Sequence, residues 1–221
     1  MNRFRSIFGL ASATQYLVLA NLIVYAIQVI NLTQYGPEAV QQCLFSGGCV
    51  TPLEKMFALI TPPHLPNVLW QLVTYMFFHG SLWHILFNMI FLWSLGRSLE
   101  HVWSLREFSL YCFFMGIGAG LTTIGVSLVT GEHSISVGAS GAIFGLLLAF
   151  GLLFPNQNII LFPIPLPIPA KYAVLILGGF AVFAKLTGFL PVIGHIAHLG
   201  GILFGFLYLK GWRLLGRYVR R

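Results

Sequence analysis

Long apolar runs recur through almost the whole of this 221-residue chain, and they constrain its fold more than any other feature. Hydrophobic residues make up 57% of the sequence and charged residues 8%, whereas a water-soluble domain carries about 25% charged residues. A transmembrane helix needs about 20 apolar residues. Six runs approach that length, at about 14–34, 81–99, 105–128, 138–154, 170–188 and 194–211. The sequence therefore predicts an all-α, polytopic membrane protein with six transmembrane helices.

The basic residues predict how this bundle is oriented. Two lysines, Lys55 and Lys185, fall near one side of the predicted membrane, and ten basic residues fall on the other: Arg3, Arg5, Arg97, Arg106, Lys171, Lys210, Arg213, Arg217, Arg220 and Arg221. Cytoplasmic segments of membrane proteins are enriched in Lys and Arg. We therefore expect cytoplasmic tails at 1–13 and 212–221 around a six-span domain at 14–211. The net charge of +7 reflects this asymmetry, so we expect a lipid bilayer and no nucleic acid as partner.

The longest segment between predicted spans, at about 35–80, falls on the outer side. It contains Trp70 and apolar stretches, so we expect it to lie partly in the membrane interface. Cys43 and Cys49 are six residues apart in this segment. Two alternatives stay open, a disulfide or two free thiols, because spacing alone does not fix the geometry of a bridge.

Four polar side chains on three predicted spans fall at a similar depth. They are His84 and Asn88 on the second span, Ser140 on the fourth and His198 on the sixth. At a rise of about 1.5 Å per residue, each lies about 5–10 Å below the outer surface. Polar groups within membrane spans are costly and usually functional. This coincidence of depth predicts a site in the outer leaflet.

These residue types suit acyl transfer. Ser140 is a candidate nucleophile and His198 a candidate general base, because a serine hydroxyl reacts once a neighbouring base takes its proton. The chain has no Asp; four of its five Glu residues fall outside the predicted spans, and Glu107 lies at the cytoplasmic start of the third, so we expect a Ser–His dyad. Phe144, one turn after Ser140, could stack on the imidazole. His84, Asn88 and the backbone N–H of Ser140 could stabilise the oxyanion.

Glycines mark the faces on which the fourth and sixth spans are expected to pack. Gly138, Gly141 and Gly145 share one face of the fourth span, and Gly201 and Gly205 share a face of the sixth with His198. Such faces allow two helices to approach closely in a membrane.

Other interpretations of the same residues stay open at this point. Ser140 could bond to a neighbouring helix, His198 could be a hydrated interfacial side chain, and His84 with Asn88 could form a structural contact. Lys185 could act as the base of a Ser–Lys pair. A channel would instead distribute polar groups through the whole membrane depth. No HExxH or phosphate-binding glycine motif is present, and we predict no metal and no cofactor.

Three motifs in order resemble those of the rhomboid intramembrane serine proteases. They are His84 to Asn88, Gly138 to Gly141, and Ala197-His198 followed by Gly201 and Gly205. The resemblance covers about 65–211 and is typical of a prokaryotic six-span type. Within this range Gly96 and Glu100 also resemble the G-x-x-x-E stretch of the family. One departure is Gln71 after Trp70, where the family often has Arg.

The resemblance implies an intramembrane serine endopeptidase that cleaves transmembrane protein substrates near the outer face without a cofactor. It assigns Ser140 as nucleophile, His198 as base, and His84 and Asn88 to the oxyanion hole. Phe87 and Phe180 would line a lateral gate. The location it implies is a prokaryotic inner membrane, and it leaves the oligomeric state open. The alternative is an inactive relative that binds transmembrane clients.

Overall fold

The computed structural model describes residues 12–62, 67–160, 166–189 and 194–214. The two predicted tails lie almost entirely outside these ranges, so their cytoplasmic placement stays a prediction. Within the described residues the helices are α1 (Ala13–Thr33), α2 (Pro37–Phe45), α3 (Pro52–Phe57), α4 (Val68–Thr74), α5 (Leu82–Leu99), α6 (Leu105–Thr130), α7 (Ser140–Leu153), α8 (Ala170–Thr187) and α9 (His195–Leu214). A short 3-10 helix follows α4 at Tyr75–Phe77.

The long helices coincide with the predicted apolar runs. Three of them, α1, α6 and α8, are long and apolar enough to cross a membrane by themselves. A fourth crossing is counted if Val68–Phe77 and α5 are taken as one segment bent by 83°. The chain is therefore a mostly helical membrane bundle, and the count of six spans stays a prediction.

The expectation of an all-α fold is wrong in one respect, because the described residues also form two small antiparallel sheets. One pairs β1 (Leu59–Thr61) with β2 (Ser134–Ser136), and the other pairs β3 (Asn158–Ile160) with β4 (Pro167–Pro169). Strands of three residues are too short to produce an alternating hydropathy pattern. The β1–β2 pair joins residues 35–80, called the outer segment after their predicted side, to the residues that lead into α7.

Serine caps begin three of the long helices. Ser12, Ser81 and Ser104 each accept a hydrogen bond from a backbone N–H in the first turn of α1, α5 and α6, respectively. Such caps satisfy donors that have no partner within the helix. They fix where each helix starts and so where its side chains point.

The outer segment is held by buried side chains that bond to backbone atoms. Gln71 is 1% exposed, and its amide donates to the carbonyl oxygens of Lys55 (3.3 Å) and Met56 (3.2 Å) while its oxygen accepts from the N–H of Ile60 (3.4 Å). The indole of Trp70 also donates to the Met56 carbonyl, at 2.9 Å. Gln71 therefore cross-links the outer segment at the position where the sequence departs from the family pattern.

A disulfide joins Cys43 at the end of α2 to Cys49. This resolves the alternative that the spacing left open. Disulfides persist in oxidising compartments.

Glycines bring α9 against both α6 and α7. A methyl group at Gly201 would collide with the carbonyl oxygen of Gly141, so the two backbones touch there. Gly145 faces Met115 of α6, and a methyl group at Gly205 would lie 2.9 Å from the hydroxyl of Tyr111. The predicted face-to-face contact of α7 and α9 therefore rests on Gly141 and Gly201, while Gly145 and Gly205 make room for α6.

We expect Gly201→Ala to destabilise the bundle by about 1–3 kcal/mol, because the new methyl group forces α7 and α9 apart. The control is Gly211→Ala on the same helix, where nothing lies within 4 Å of the added methyl group. Thermal unfolding in detergent should show a lower Tm for Gly201→Ala and little change for Gly211→Ala. Equal melting of both variants and the parent would contradict the close contact.

Candidate active site

Ser140 is placed at the start of α7 by the turn that precedes it. Gly138 has a φ of 115°, a region that L side chains rarely adopt, and its N–H donates to the carbonyl oxygen of Tyr75 at 2.8 Å. This bond ties the turn to the short helix at Tyr75–Phe77. Ser140 is the first helical residue, so its backbone N–H has no carbonyl partner within α7.

Ser140 and His198 are in hydrogen-bond contact. The Ser140 Oγ lies 2.9 Å from Nε2 of His198, although the two residues are 58 positions apart in sequence. His198 lies in the first turn of α9, and its backbone N–H donates to the carbonyl oxygen of Gly194 at 3.1 Å. The ring of Phe144 is parallel to the imidazole, with centroids 4.1 Å apart and 7° between the planes. This stacking fixes the plane of the His198 ring.

His84 and Asn88 of α5 lie beside the turn before Ser140. A methyl group at Gly138 would be 2.7 Å from Nε2 of His84 and 3.4 Å from Nδ2 of Asn88. Asn88 is 6% exposed, and among the described residues its Nδ2 has no hydrogen-bond partner. A buried unpaired donor costs about 1–3 kcal/mol. The site therefore retains a donor that a ligand oxygen can use.

The orientation of His84 is set by the segment just before α5. Its Nδ1 accepts a hydrogen bond from the N–H of Gly80 at 3.4 Å, which leaves the proton on Nε2. The ring of His79 meets the His84 ring edge to face, with centroids 5.1 Å apart. Burial, with a smaller contribution from His84, lowers the pKa of His79 to about 3, so His79 is neutral near pH 7.

A buried polar network that the sequence did not predict supports this segment. Gln28 of α1 donates to Oε1 of Glu54 at 2.9 Å and accepts from the backbone N–H of His79 at 3.0 Å. Its amide also lies 3.3 Å from the carbonyl oxygen of His79. Gln28 lies in an apolar stretch of the sequence, where no motif marks it. The same is true of Tyr75, whose carbonyl oxygen holds the turn before Ser140.

Two other predicted ionisable groups have partners away from the Ser–His pair. Lys185 forms an ion pair with Glu132 at 2.7 Å, while the Ser140 hydroxyl contacts His198, so the contacts favour a Ser–His over a Ser–Lys pair. Glu100 accepts hydrogen bonds from the hydroxyl of Thr14 at 2.8 Å and from its N–H at 3.3 Å. Glu100 thus anchors the start of α1 to the end of α5.

The two candidate gate residues lie on different helices. Phe180 of α8 contacts the rings of Phe189 and His195, with centroids 6.2 Å away in both cases. Phe87 of α5 stacks on Trp83, also at 6.2 Å. Their role as a gate stays a prediction. No group of three or more His, Cys, Asp or Glu side chains in the described part of the chain could hold a metal ion.

The structure is a helical membrane bundle in which Ser140 of α7 and His198 of α9, each near the start of its helix, form a hydrogen-bonded pair. Comparison with known proteins identifies the family of this bundle. The Rhomboid domain family model matches residues 66–215. RHOMBOID-like protein 1 of Arabidopsis thaliana is 31% identical over 208 residues, covering 86% of this chain and 50% of that protein. Rhomboid protein 1, mitochondrial, of Saccharomyces cerevisiae is also 31% identical, over 194 residues that cover 86% of this chain and 52% of that protein.

The chain therefore belongs to the rhomboid family and is an integral membrane protein, as the motifs predict. A further relative is the presenilin-associated rhomboid-like protein, mitochondrial, of Bos taurus, 29% identical over 60% of this chain and 35% of that protein. The chain spans about half the length of the first two relatives. These relatives come from a plant, a yeast and a mammal, so the prokaryotic assignment stays a prediction.

We expect Gln28→Met to lower the free energy of unfolding by about 1–3 kcal/mol, because it removes the buried partner of Glu54 Oε1 and of the His79 backbone N–H. Gln41→Met, on an exposed part of α2, is the matched control. Chemical or thermal unfolding should separate the two variants. If both unfold with the parent, the Gln28 network does not support the site.

Proposed function

We propose that this protein is an intramembrane serine endopeptidase that uses Ser140 as nucleophile and His198 as general base. The observation that supports it most is the 2.9 Å contact between Ser140 Oγ and His198 Nε2. A general base must reach the proton that it removes, and this distance lies within that reach. Membership of the rhomboid family adds support from the comparisons.

In the proposed first step Ser140 Oγ attacks the scissile carbonyl carbon while its proton moves to Nε2 of His198. Negative charge then develops on the carbonyl oxygen. The Nε2–H of His84, the Nδ2–H of Asn88 and the N–H of Ser140 are the candidate donors to this oxyanion. Collapse of the tetrahedral intermediate passes the proton from His198 to the leaving amine, and water attacking the acyl-enzyme regenerates Ser140.

Phe144 takes the orienting role that a carboxylate has in a Ser-His-Asp triad. The parallel contact at 4.1 Å holds the imidazole plane with Nε2 directed at Ser140. The chain contains no Asp, and Glu54 and Glu100 are engaged with Gln28 and Thr14. We therefore propose a dyad supported by an aromatic ring.

The proposed substrates are transmembrane segments of other membrane proteins. A helix buries its carbonyls in hydrogen bonds, so a substrate must unwind near the cleavage site before attack. We propose six spans, cytoplasmic termini and a site that opens to the outer side, in keeping with the distribution of basic residues. The Cys43–Cys49 disulfide supports an oxidising environment for the outer segment.

A cleavage assay tests the dyad. Purified protein in proteoliposomes should cut a labelled single-span substrate, and Ser140→Ala and His198→Ala should each lower kcat by about 10³-fold or more. Ser94→Ala and His133→Ala, both at exposed positions, are the matched controls and should retain the parent rate. Cleavage by Ser140→Ala at the parent rate would exclude the dyad. No cleavage by a folded parent that still binds the substrate would favour a client-binding relative.

A second set of variants tests the oxyanion donors. His84→Ala and Asn88→Ala should each lower kcat by about 10²–10³-fold, with KM nearly unchanged, because the donors act on charge that develops in the transition state. Asn88→Asp keeps the size of the side chain and removes the donor, so it should be as slow as Asn88→Ala. Parent-like kcat in both alanine variants would remove these residues from the oxyanion site.

A further inference from the structure

The loop closed by the disulfide lies directly against the start of α5. Cys43 is 6% exposed, and the bridge to Cys49 encloses Gly47 and Gly48, both with positive φ. A methyl group at Gly47 would lie 3.0 Å from the carbonyl oxygen of Gly80 and 3.5 Å from Cβ of Ser81. The closed loop therefore contacts the backbone that leads into α5.

This segment of backbone positions His84 in two ways. The N–H of Gly80 donates to Nδ1 of the His84 ring at 3.4 Å. The hydroxyl of Ser81 accepts from the backbone N–H of His84 at 3.2 Å and caps α5. A shift of residues 80–81 would therefore move the His84 imidazole.

A second chain of contacts begins at the other end of the loop. Cys49 is two residues before Thr51, which caps α3 and bonds through its N–H (2.9 Å) and its hydroxyl to the carboxylate of Glu54. Glu54 in turn accepts from Gln28 at 2.9 Å. The bridge thus fixes one end of the buried network described above.

This buried network also leads to the imidazole of His84. Gln28 bonds to both the N–H and the carbonyl oxygen of His79, and the His79 ring contacts the His84 ring. Two independent routes from the disulfide loop, one through Gly80 and one through Gln28, therefore converge on His84.

We propose that the Cys43–Cys49 disulfide is a redox-sensitive positioning element for His84, so that reduction of the bridge slows peptide cleavage. A dithiol supplies two electrons and two protons, the S–S bond breaks to give two thiols, and the dithiol becomes a disulfide. The opened loop then holds two glycines that are free to change conformation, and its contact with Gly80 loosens. The inference rests on the proposed peptidase function.

The test compares oxidised and reduced protein in proteoliposomes, in a Cys112→Ala background that removes the buried free cysteine. Thiol counting confirms that the bridge is open. Reduction should lower kcat about tenfold with KM nearly unchanged, because a small displacement of a catalytic group mainly affects the transition state. Reoxidation should restore the rate. Cys43→Ser/Cys49→Ser should match the reduced protein and should not respond to the dithiol.

Double-variant comparison shows whether the effect passes through His84. Reduction should have no further effect in His84→Ala, and it should still lower kcat in Asn88→Ala, which lies one turn farther along α5. An undiminished effect of reduction in His84→Ala would overturn the inference. So would an unchanged kcat in parent protein whose bridge is shown to be open.

A readout without catalysis separates this inference from the proposed function. In protein with 13C-labelled histidine Cε1, reduction should shift the His84 resonance, assigned by its loss in His84→Ala, and leave that of exposed His133 unchanged. If the parent does not cleave but the resonance shifts, the peptidase proposal fails and the positioning contact stands. A His84 resonance that stays in place on reduction overturns the positioning role whatever the activity.

Discussion

The close approach of α7 and α9 at Gly141 and Gly201 is the constraint on which the rest of the site depends. The carbonyl of one glycine occupies the space that a side chain of the other would need. This contact lies one residue after Ser140 and three after His198, so it sets the separation of the hydroxyl and the imidazole. In a membrane, helices associate through such packing, because lipid tails are as apolar as the side chains themselves. The 2.9 Å contact is thus a consequence of two residues that lack side chains.

The third helix of the site is held differently, through polar contacts rather than close packing. His84 and Asn88 are carried by α5, whose first turn is capped by Ser81 and braced by the outer segment. Gln71 cross-links that segment, and the Gln28 network joins it to α1. Buried hydrogen bonds of this kind are directional, and breaking one leaves an unsatisfied group in a low-dielectric setting. They suit the task of holding a donor at a fixed place beside Ser140.

Much of the fold followed from the sequence because hydropathy acts over whole helices. The apolar runs predicted α1 and α5 to α9 closely, and the shared depth of Ser140 and His198 predicted that these two side chains would meet. His84 and Asn88, placed at the same depth, lie beside Gly138 in the turn before Ser140. The short strands, the partners of Gly145 and Gly205 and the role of Gln28 could not be predicted. Each depends on contacts between residues far apart in the chain, and a single glutamine in an apolar run has no pattern that names its partner. The disulfide could not be predicted either, because its formation depends on the path of the backbone between Cys43 and Cys49.

The central proposal is that Ser140 is a nucleophile activated by His198, and covalent trapping tests it most directly. Folded protein is treated with a fluorophosphonate, digested, and the modified residue is located by mass spectrometry. The account predicts one phosphonyl adduct, on the peptide that contains Ser140, and its loss when His198 is replaced by alanine. An adduct on a different residue of the folded protein, or labelling of Ser140 that does not depend on His198, would contradict it.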